Sequence, residues 1–397
     1  MRCVVEKFDH FGNGLSKCNE KIVFIKRVLP KEDILYNVKR EKKHFIEAEV
    51  SEIISSSIDR IDSICPYYNE CGGCNFLHAT YALEKEFKKN KAKEILGNYN
   101  KFYETVDINY RNKVTLHVKG RNIGFYQEKT NDIIDISYCY LLNDKINNIL
   151  ERLNKYIKST DHEINSIVIK SNDKEVLLDI NGNIDENFLN TFFDVDTIIN
   201  NDYIIKGSGY LIENIDKYKF QISSKSFFQV NKSGLLNNYE IIKKYLGNNH
   251  YKKALDLYSG IGTWGTLISD YVDKVICIEL NKSSIKDAFA NRELNNINNM
   301  EIINGKVEDF INSFLNIDLV ITDPPRSGLD KKTKEHLMKI KPKRIIYISC
   351  DMLTLKRDLD ELNKMYDIIE INLVDMFKRT YHVETVVLLT LKDKILS

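Results

Sequence analysis

The side chains able to do chemistry are concentrated in the last third of the chain. Cys350 closes the apolar run Arg344-Ile-Ile-Tyr-Ile-Ser-Cys350. A lone cysteine at a strand end is usually a small buried hydrophobe. Here a helical stretch follows from Leu353, and a helix N-terminus lowers a thiol pKa, so a nucleophilic thiolate is expected. Such a nucleophile needs a base. His382 and Glu384, in Tyr381-His-Val-Glu384, alternate onto one face of the last strand, and either is able to serve. Asp323 ends a second apolar run, Asp318-Leu-Val-Ile-Thr-Asp323, just before Pro324 and Pro325. Gly260, Gly262 and Gly265 spell G-x-G-x-x-G between the strand 254–258 and a helix, where a backbone without side chains approaches a nucleotide-like cofactor. Glu279 ends the following strand, at the distance where an acid receives ribose hydroxyls.

NAD and S-adenosylmethionine both satisfy the glycine turn and its acid. The Asp323-Pro-Pro turn favours S-adenosylmethionine, because that turn shapes the substrate pocket of many enzymes using this cofactor. Arg326 follows it, where enzymes methylating base amino groups place an aromatic residue, so amino-group methylation is disfavoured. A second cluster, Cys65-x5-Cys71-x2-Cys74 with Gly72 and Gly73 between the last two, suits a soft metal centre. Cys139 is the natural fourth ligand, with Cys3 and Cys18 as rivals. Spacing alone leaves an iron–sulfur cluster, structural zinc and reduced thiols open.

These residues need a scaffold, and 397 residues imply two or three domains. Residues 1–56 read as a small all-β barrel of about five strands, OB-like in size, with strands at 21–25, 33–38 and 45–50. Its Lys26, Arg27, Lys39, Arg40, Lys42 and Lys43 either meet phosphates or keep a sheet edge from aggregating. Residues 57–217 form an α+β central region. It holds a lysine-rich helix near 81–98, whose charges read as a solvated face, and a run of antiparallel strands from 114 on. Arg111 and Lys113, at its start, read by default as surface charge. Residues 218–397 alternate strands and helices, which implies a parallel sheet with its ligand beyond the strand C-termini. A net charge of +1 neither demands nor excludes a nucleic-acid partner. No charged-then-apolar segment opens the chain and no apolar run is long enough to span a membrane, so a cytoplasmic location without membrane contact is expected.

Taken together, the motifs resemble the RNA uracil-C5 methyltransferases, closest to the cluster-bearing 23S ribosomal RNA branch. The resemblance covers nearly the whole chain. It rests on Gly12-Asn-Gly14, Cys65/Cys71/Cys74/Cys139, Tyr110-Arg-Asn-Lys113, Ser226-Phe-Phe-Gln-Val-Asn231, Asp256-Leu-Tyr-Ser-Gly-Ile-Gly262, Asp323-Pro-Pro-Arg326, Ser349-Cys350 and His382-Val-Glu384. It implies a TRAM-type RNA-binding barrel, a central region, and a Rossmann-like S-adenosylmethionine domain of α/β class. It also implies that Gln229, Tyr258, Glu279 and Asp323 bind the cofactor, that Cys350 is the nucleophile and Glu384 the base. The four cysteines would hold a [4Fe–4S] cluster rather than zinc, in a folding role and not an electron-carrying one. The implied partner is RNA, 23S ribosomal before transfer RNA, acted on by a monomer with no obligate protein partner. A non-catalytic RNA-binding assembly factor is the alternative of a different class. The chain departs from the family at Asp351-Met352 (often Asn-Pro), Lys378-Arg379 (usually Pro-His), Ser259 (often Cys) and Trp264 (often Phe).

Overall fold

A computed structural model describes residues 1–18, 20–128 and 130–393. The chain divides into two compact units. The first takes Met1–Gly97, Tyr126–Asp132 and Phe377–His382; the second takes Asn98–Phe125, Ile133–Met376 and the chain from Val383 on.

The first unit opens with a six-stranded sheet. Alternation along Lys21–Lys26, Asp33–Glu41 and Phe45–Ser55 turns Val23, Ile25, Ile34, Tyr36, Ile46 and Ala48 into one apolar core. The first eight residues pair with both edges of the sheet. Arg2–Val4 lies against Asp33–Leu35, and Lys7–Phe8 lies against Gly14–Leu15, so a single segment closes it. The expected small β-barrel is therefore present, with one strand more than expected. Two of its basic residues form ion pairs, Lys26 with Glu128 and Lys39 with Glu49.

The helix Tyr81–Leu96 starts at Thr80, whose hydroxyl accepts the Leu83 N–H. Glu86, Lys93 and Glu94 are exposed, as expected of a solvated face, but two of the helix's charges are not. Glu84 and Lys88 are fully buried together with Phe87, Ala92 and Ile95. Glu84 and Lys88 are four residues apart, so they share the buried face and neutralise each other there.

The second unit contains a seven-stranded sheet, a hairpin and an eight-stranded sheet. The seven-stranded sheet is antiparallel as expected except for one pair, Val176–Asn183 with Thr197–Asn200, which runs parallel. The strands of the eight-stranded sheet, in chain order, are β1 (Lys101–Tyr103), β2 (Tyr251–Leu257), β3 (Val272–Glu279), β4 (Met300–Asn304), β5 (Leu319–Thr322), β6 (Arg344–Ser349), β7 (Tyr366–Val374) and β8 (Glu384–Leu391). Their spatial order is β4-β3-β2-β5-β6-β8-β7-β1. The five strands from β4 to β6 are parallel, and their continuous apolar runs are buried, Ile345 to Ile348 entirely so. β8 inserts antiparallel between β6 and β7, with Thr385 opposite Ser349 and Glu384 opposite Val374. This reversal brings the first residue of β8 to the edge where β6 ends, which is the ligand side of the sheet. The edge strand β1 was not foreseen, because three residues are too short to show a period.

Candidate active site

The turn after β2 carries three residues with positive φ: Tyr258 (60°), Gly260 (56°) and Gly262 (77°). Glycine holds this conformation without strain, whereas for Tyr258 it costs roughly 1–2 kcal/mol. The Gly260 N–H donates to Oε2 of Glu279 at 2.9 Å, and the Asn281 N–H donates to Oε1 at 2.6 Å. Glu279 is thereby aimed across the turn, and each oxygen keeps acceptor capacity for a hydroxyl. Gly265 has an ordinary φ, but a Cβ there would lie 2.4 Å from Cys277 Sγ. Its N–H donates to Asp256 Oδ2 at 2.7 Å. Burial, with Asp323 and Glu279 nearby, pushes the Asp256 carboxyl up to about 8.

Asp323, at the end of β5, is the next anchor. Its Oδ2 accepts from the Trp264 indole N–H at 3.3 Å and from Gln229 Nε2 at 3.4 Å. Burial raises its carboxyl above the usual range, and the indole bond works against that rise. A phenyl ring in place of Trp264 could not donate this bond. Tyr258 directs its hydroxyl to Asp330 Oδ2 at 3.4 Å.

Gln229 is held by Asn112 of the Tyr110–Lys113 motif. Asn112 Nδ2 donates to its carbonyl at 3.1 Å, and the Asn112 N–H donates to Val230 O at 3.0 Å. Two motifs more than a hundred residues apart thus meet through backbone. Lys170 is buried and donates from Nζ to Ser223 O at 2.6 Å and Ser226 O at 2.7 Å; desolvation, with Lys113 beside it, lowers its pKa to about 7. Asp287, also buried, accepts from Ser223 N and Oγ. The one available signal was a lysine directly after the apolar run Ile167-Val168-Ile169 of the strand Glu163–Ser171. Lys113 was read as surface charge, but burial and then Arg111 lower its pKa.

At the reversal of the sheet, Cys350 follows β6 and Glu384 opens β8. Glu384 is 2% exposed. Burial first, then the Asp323 charge, holds its carboxyl well above the ordinary range. Burial, then Glu384 and Asp323, pushes the Cys350 thiol up to about 12, with Arg326 opposing. This corrects the expectation that the following helix favours the thiolate. The helix Met352–Leu362 is there, but Asp351 caps it by accepting the Thr354 N–H at 2.9 Å, and burial beside two acids outweighs the dipole. Of the two base candidates, Glu384 is the one whose charge raises the Cys350 thiol. His382 lies in the other unit, its ring 4.1 Å from that of Tyr381 and its N–H on Thr380 Oγ1.

Three of the clustered cysteines sit on one wound loop. Cys71 N–H donates to Tyr67 O at 2.9 Å, and the Gly73 N–H points at Cys71 Sγ, 3.4 Å away. Cys139 lies before the helix Asp144–Ser159, and Asn147 pins its backbone on both sides. Among the described residues, no three His, Cys, Asp or Glu side chains form a group placed to hold a metal ion.

A glycine-rich turn with its acid on the next strand, a half-buried carboxyl one strand over, and a thiol and carboxyl at the sheet reversal define a Rossmann-like methyltransferase using S-adenosylmethionine. The family described as tRNA (Uracil-5-)-methyltransferase matches residues 86–392. The chain is 31% identical to an uncharacterized RNA methyltransferase of Clostridium acetobutylicum over 98% of its length and 96% of the relative's. It is 30% identical to one of Aquifex aeolicus over 99% of each chain. The crystal structure of Pyrococcus abyssi tRNA (uracil-54, C5)-methyltransferase in complex with S-adenosyl-L-homocysteine superposes with a TM-score of 0.82 at 28% identity, covering 98% of this chain and 100% of that one. The chain belongs to the RNA uracil-5-methyltransferase family. Its activity is S-adenosylmethionine-dependent methylation of uracil C5 in RNA. No helix among the described residues is long and apolar enough to cross a membrane.

Proposed function

We propose that this enzyme methylates a uridine of 23S ribosomal RNA as a monomer, with Cys350 as nucleophile and Glu384 as base. The observation that carries the catalytic assignment is the antiparallel insertion of β8, which sets Glu384 at the end of β6 beside Cys350. Uracil C5 is a poor nucleophile. Addition of the Cys350 thiolate to C6 makes an enolate whose C5 is reactive. S-adenosylmethionine, when bound, supplies an electrophilic methyl group on a sulfonium. Glu384 then takes the C5 proton, the C5–H electron pair re-forms the C5–C6 double bond, and Sγ leaves as thiolate. The chain's residues fit a cationic cofactor. Asp323, Glu384 and Cys350 all hold their protons above the ordinary range, because burial and mutual negative charge penalise their charged forms. Glu279 would take the ribose hydroxyls, with Asp323, Gln229 and Tyr258 completing the pocket.

The three-part organisation of barrel (1–56), central region (57–217) and catalytic domain (218–397) belongs to this proposal, with the barrel as a TRAM domain for RNA. So does a [4Fe–4S] cluster on Cys65, Cys71, Cys74 and Cys139. The all-thiolate donor set and the Gly73 N–H directed at Cys71 Sγ support it. Iron and acid-labile sulfide analysis of anaerobically purified protein tests it. The four-cysteine pattern favours ribosomal RNA; the likeness to the Pyrococcus transfer RNA enzyme favours a transfer RNA uridine. Methyl transfer from labelled cofactor to 23S and transfer RNA transcripts separates them. Labelling of transfer RNA alone would overturn the ribosomal reading.

The pocket also yields a pH prediction. Trp264→Phe removes a donor to the Asp323 carboxylate, a bond worth roughly 1.5–3 kcal/mol. S-adenosylmethionine should bind about tenfold or more weakly. Protonation of Asp323 weakens binding of a cation, so affinity falls as pH falls through its pKa. Losing the donor raises that pKa, so the fall should begin at higher pH in the variant. Calorimetric titration between pH 5.5 and 8.5 reads both effects.

A further inference from the structure

The segment Phe377–His382, between β7 and β8, belongs to the first compact unit, and Val383 alone separates it from Glu384. The helix Tyr81–Leu96 holds it at several points. Glu84 Oε1 accepts from Lys88 Nζ at 2.6 Å and from the Arg379 backbone N–H at 2.8 Å. Lys88 Nζ also donates to Phe377 O at 3.3 Å. The Lys378 ammonium lies 3.8 Å from the centre of the Tyr81 ring, and Lys91 Nζ donates to Tyr381 O at 3.3 Å. On the other side, the Asn75 and Phe76 N–H groups both donate to Arg379 O, at 2.7 and 3.2 Å. Asn75 directly follows Cys74, so the cysteine loop ends on the same carbonyl.

Two features mark this as more than loop packing. Arg379 has a φ of 66°, a conformation that strains a non-glycine residue and persists only where the surroundings impose it. Glu84 and Lys88 are both 0% exposed, and burying such a pair is unfavourable unless further hydrogen bonds compensate. Here the added bonds go to the backbone of the segment, one to a carbonyl and one to an N–H. An apolar pair of the same volume would pack as well but would grip neither.

We propose that Glu84, Lys88 and Arg379 form a clamp that fixes this strap and, along the chain through Val383, sets the position of the Glu384 carboxyl. They are positioning residues for the proton-abstraction half of the reaction. This rests on Glu384 being the base. The reaction separates the halves, because Cys350 addition and methylation precede proton removal. A misplaced base leaves a methylated RNA still bonded to Cys350.

The test compares the wild type, Glu84→Met/Lys88→Met and Glu384→Gln with labelled S-adenosylmethionine and substrate RNA. Denaturing gels follow formation and release of the covalent methylated adduct, and circular dichroism follows melting. In the clamp variant, adduct formation should stay within about twofold of wild type while release slows about tenfold or more, so that adduct accumulates. Equal losses in formation and release, or unchanged release, would overturn the clamp. If Glu384→Gln accumulates no adduct, the base assignment falls and the clamp with it. If the double variant melts below the assay temperature, Arg379→Gly takes its place. It removes the guanidinium bond to Ala79 O and the imposed φ but keeps the N–H to Glu84, so a slowing of release by about threefold is expected, and none overturns the proposal.

Discussion

Cys350→Ala should lower methyl transfer by a factor on the order of 10^4 or more, with S-adenosylmethionine affinity nearly unchanged. The size follows from the chemistry, because without a nucleophile at C6 the C5 carbon never becomes an enolate. The structure adds a pH signature. Burial and the charges of Glu384 and Asp323 push this thiol up to about 12, so the resting protein holds it protonated. Below that value the thiolate fraction rises about tenfold per pH unit. The rate of covalent addition should therefore climb steadily from pH 6 to pH 9. A plateau beginning near pH 6 would mean a thiol already ionised in the resting protein. Rapid-quench measurement of adduct formation across that range, with Cys350→Ala as the blank, reads both the loss and the slope.

Glu384→Gln should stop the reaction one step later. Glutamine keeps the shape of the buried residue but cannot accept the C5 proton, so turnover should fall by about 10^2–10^4. Cys350 remains able to add and C5 to be methylated, so the variant should collect as enzyme covalently bonded to methylated RNA. The two variants thus differ in kind. One makes no adduct, and the other fails to release it. Gel-shift under denaturing conditions with methyl-labelled cofactor distinguishes them. Loss of labelled adduct in both would place Glu384 before methylation, as a group that activates the thiol instead.

The parts of the site governed by local chain chemistry were legible from the residues. Gly260 and Gly262 announce a turn of positive φ, Glu279 follows one strand later, and Asp323 and Cys350 end apolar runs that have to be central strands. Long-range facts were less so. Nothing local states that β8 runs antiparallel between β6 and β7, yet that reversal is what places Glu384 beside Cys350. The thiol was misjudged for a related reason. A helix start is visible in sequence, whereas two acids arriving from β5 and β8 are not. Glu84 and Lys88 read as a solvated pair because helical spacing says that two charges share a face, not which face is buried. Lys170 escaped notice because its partners are carbonyls more than fifty residues away.

The most direct test of covalent catalysis by Cys350 is a trap with RNA in which 5-fluorouridine replaces uridine. Fluorine at C5 leaves no proton for Glu384 to remove, so methylated RNA cannot be released. With S-adenosylmethionine present, a denaturant-resistant complex should form, and mass spectrometry of its peptides should find the nucleotide on Cys350. The complex should be absent from Cys350→Ala. A protein that binds the cofactor and methylates ordinary RNA, but forms no such complex or carries the nucleotide on another residue, would contradict the mechanism.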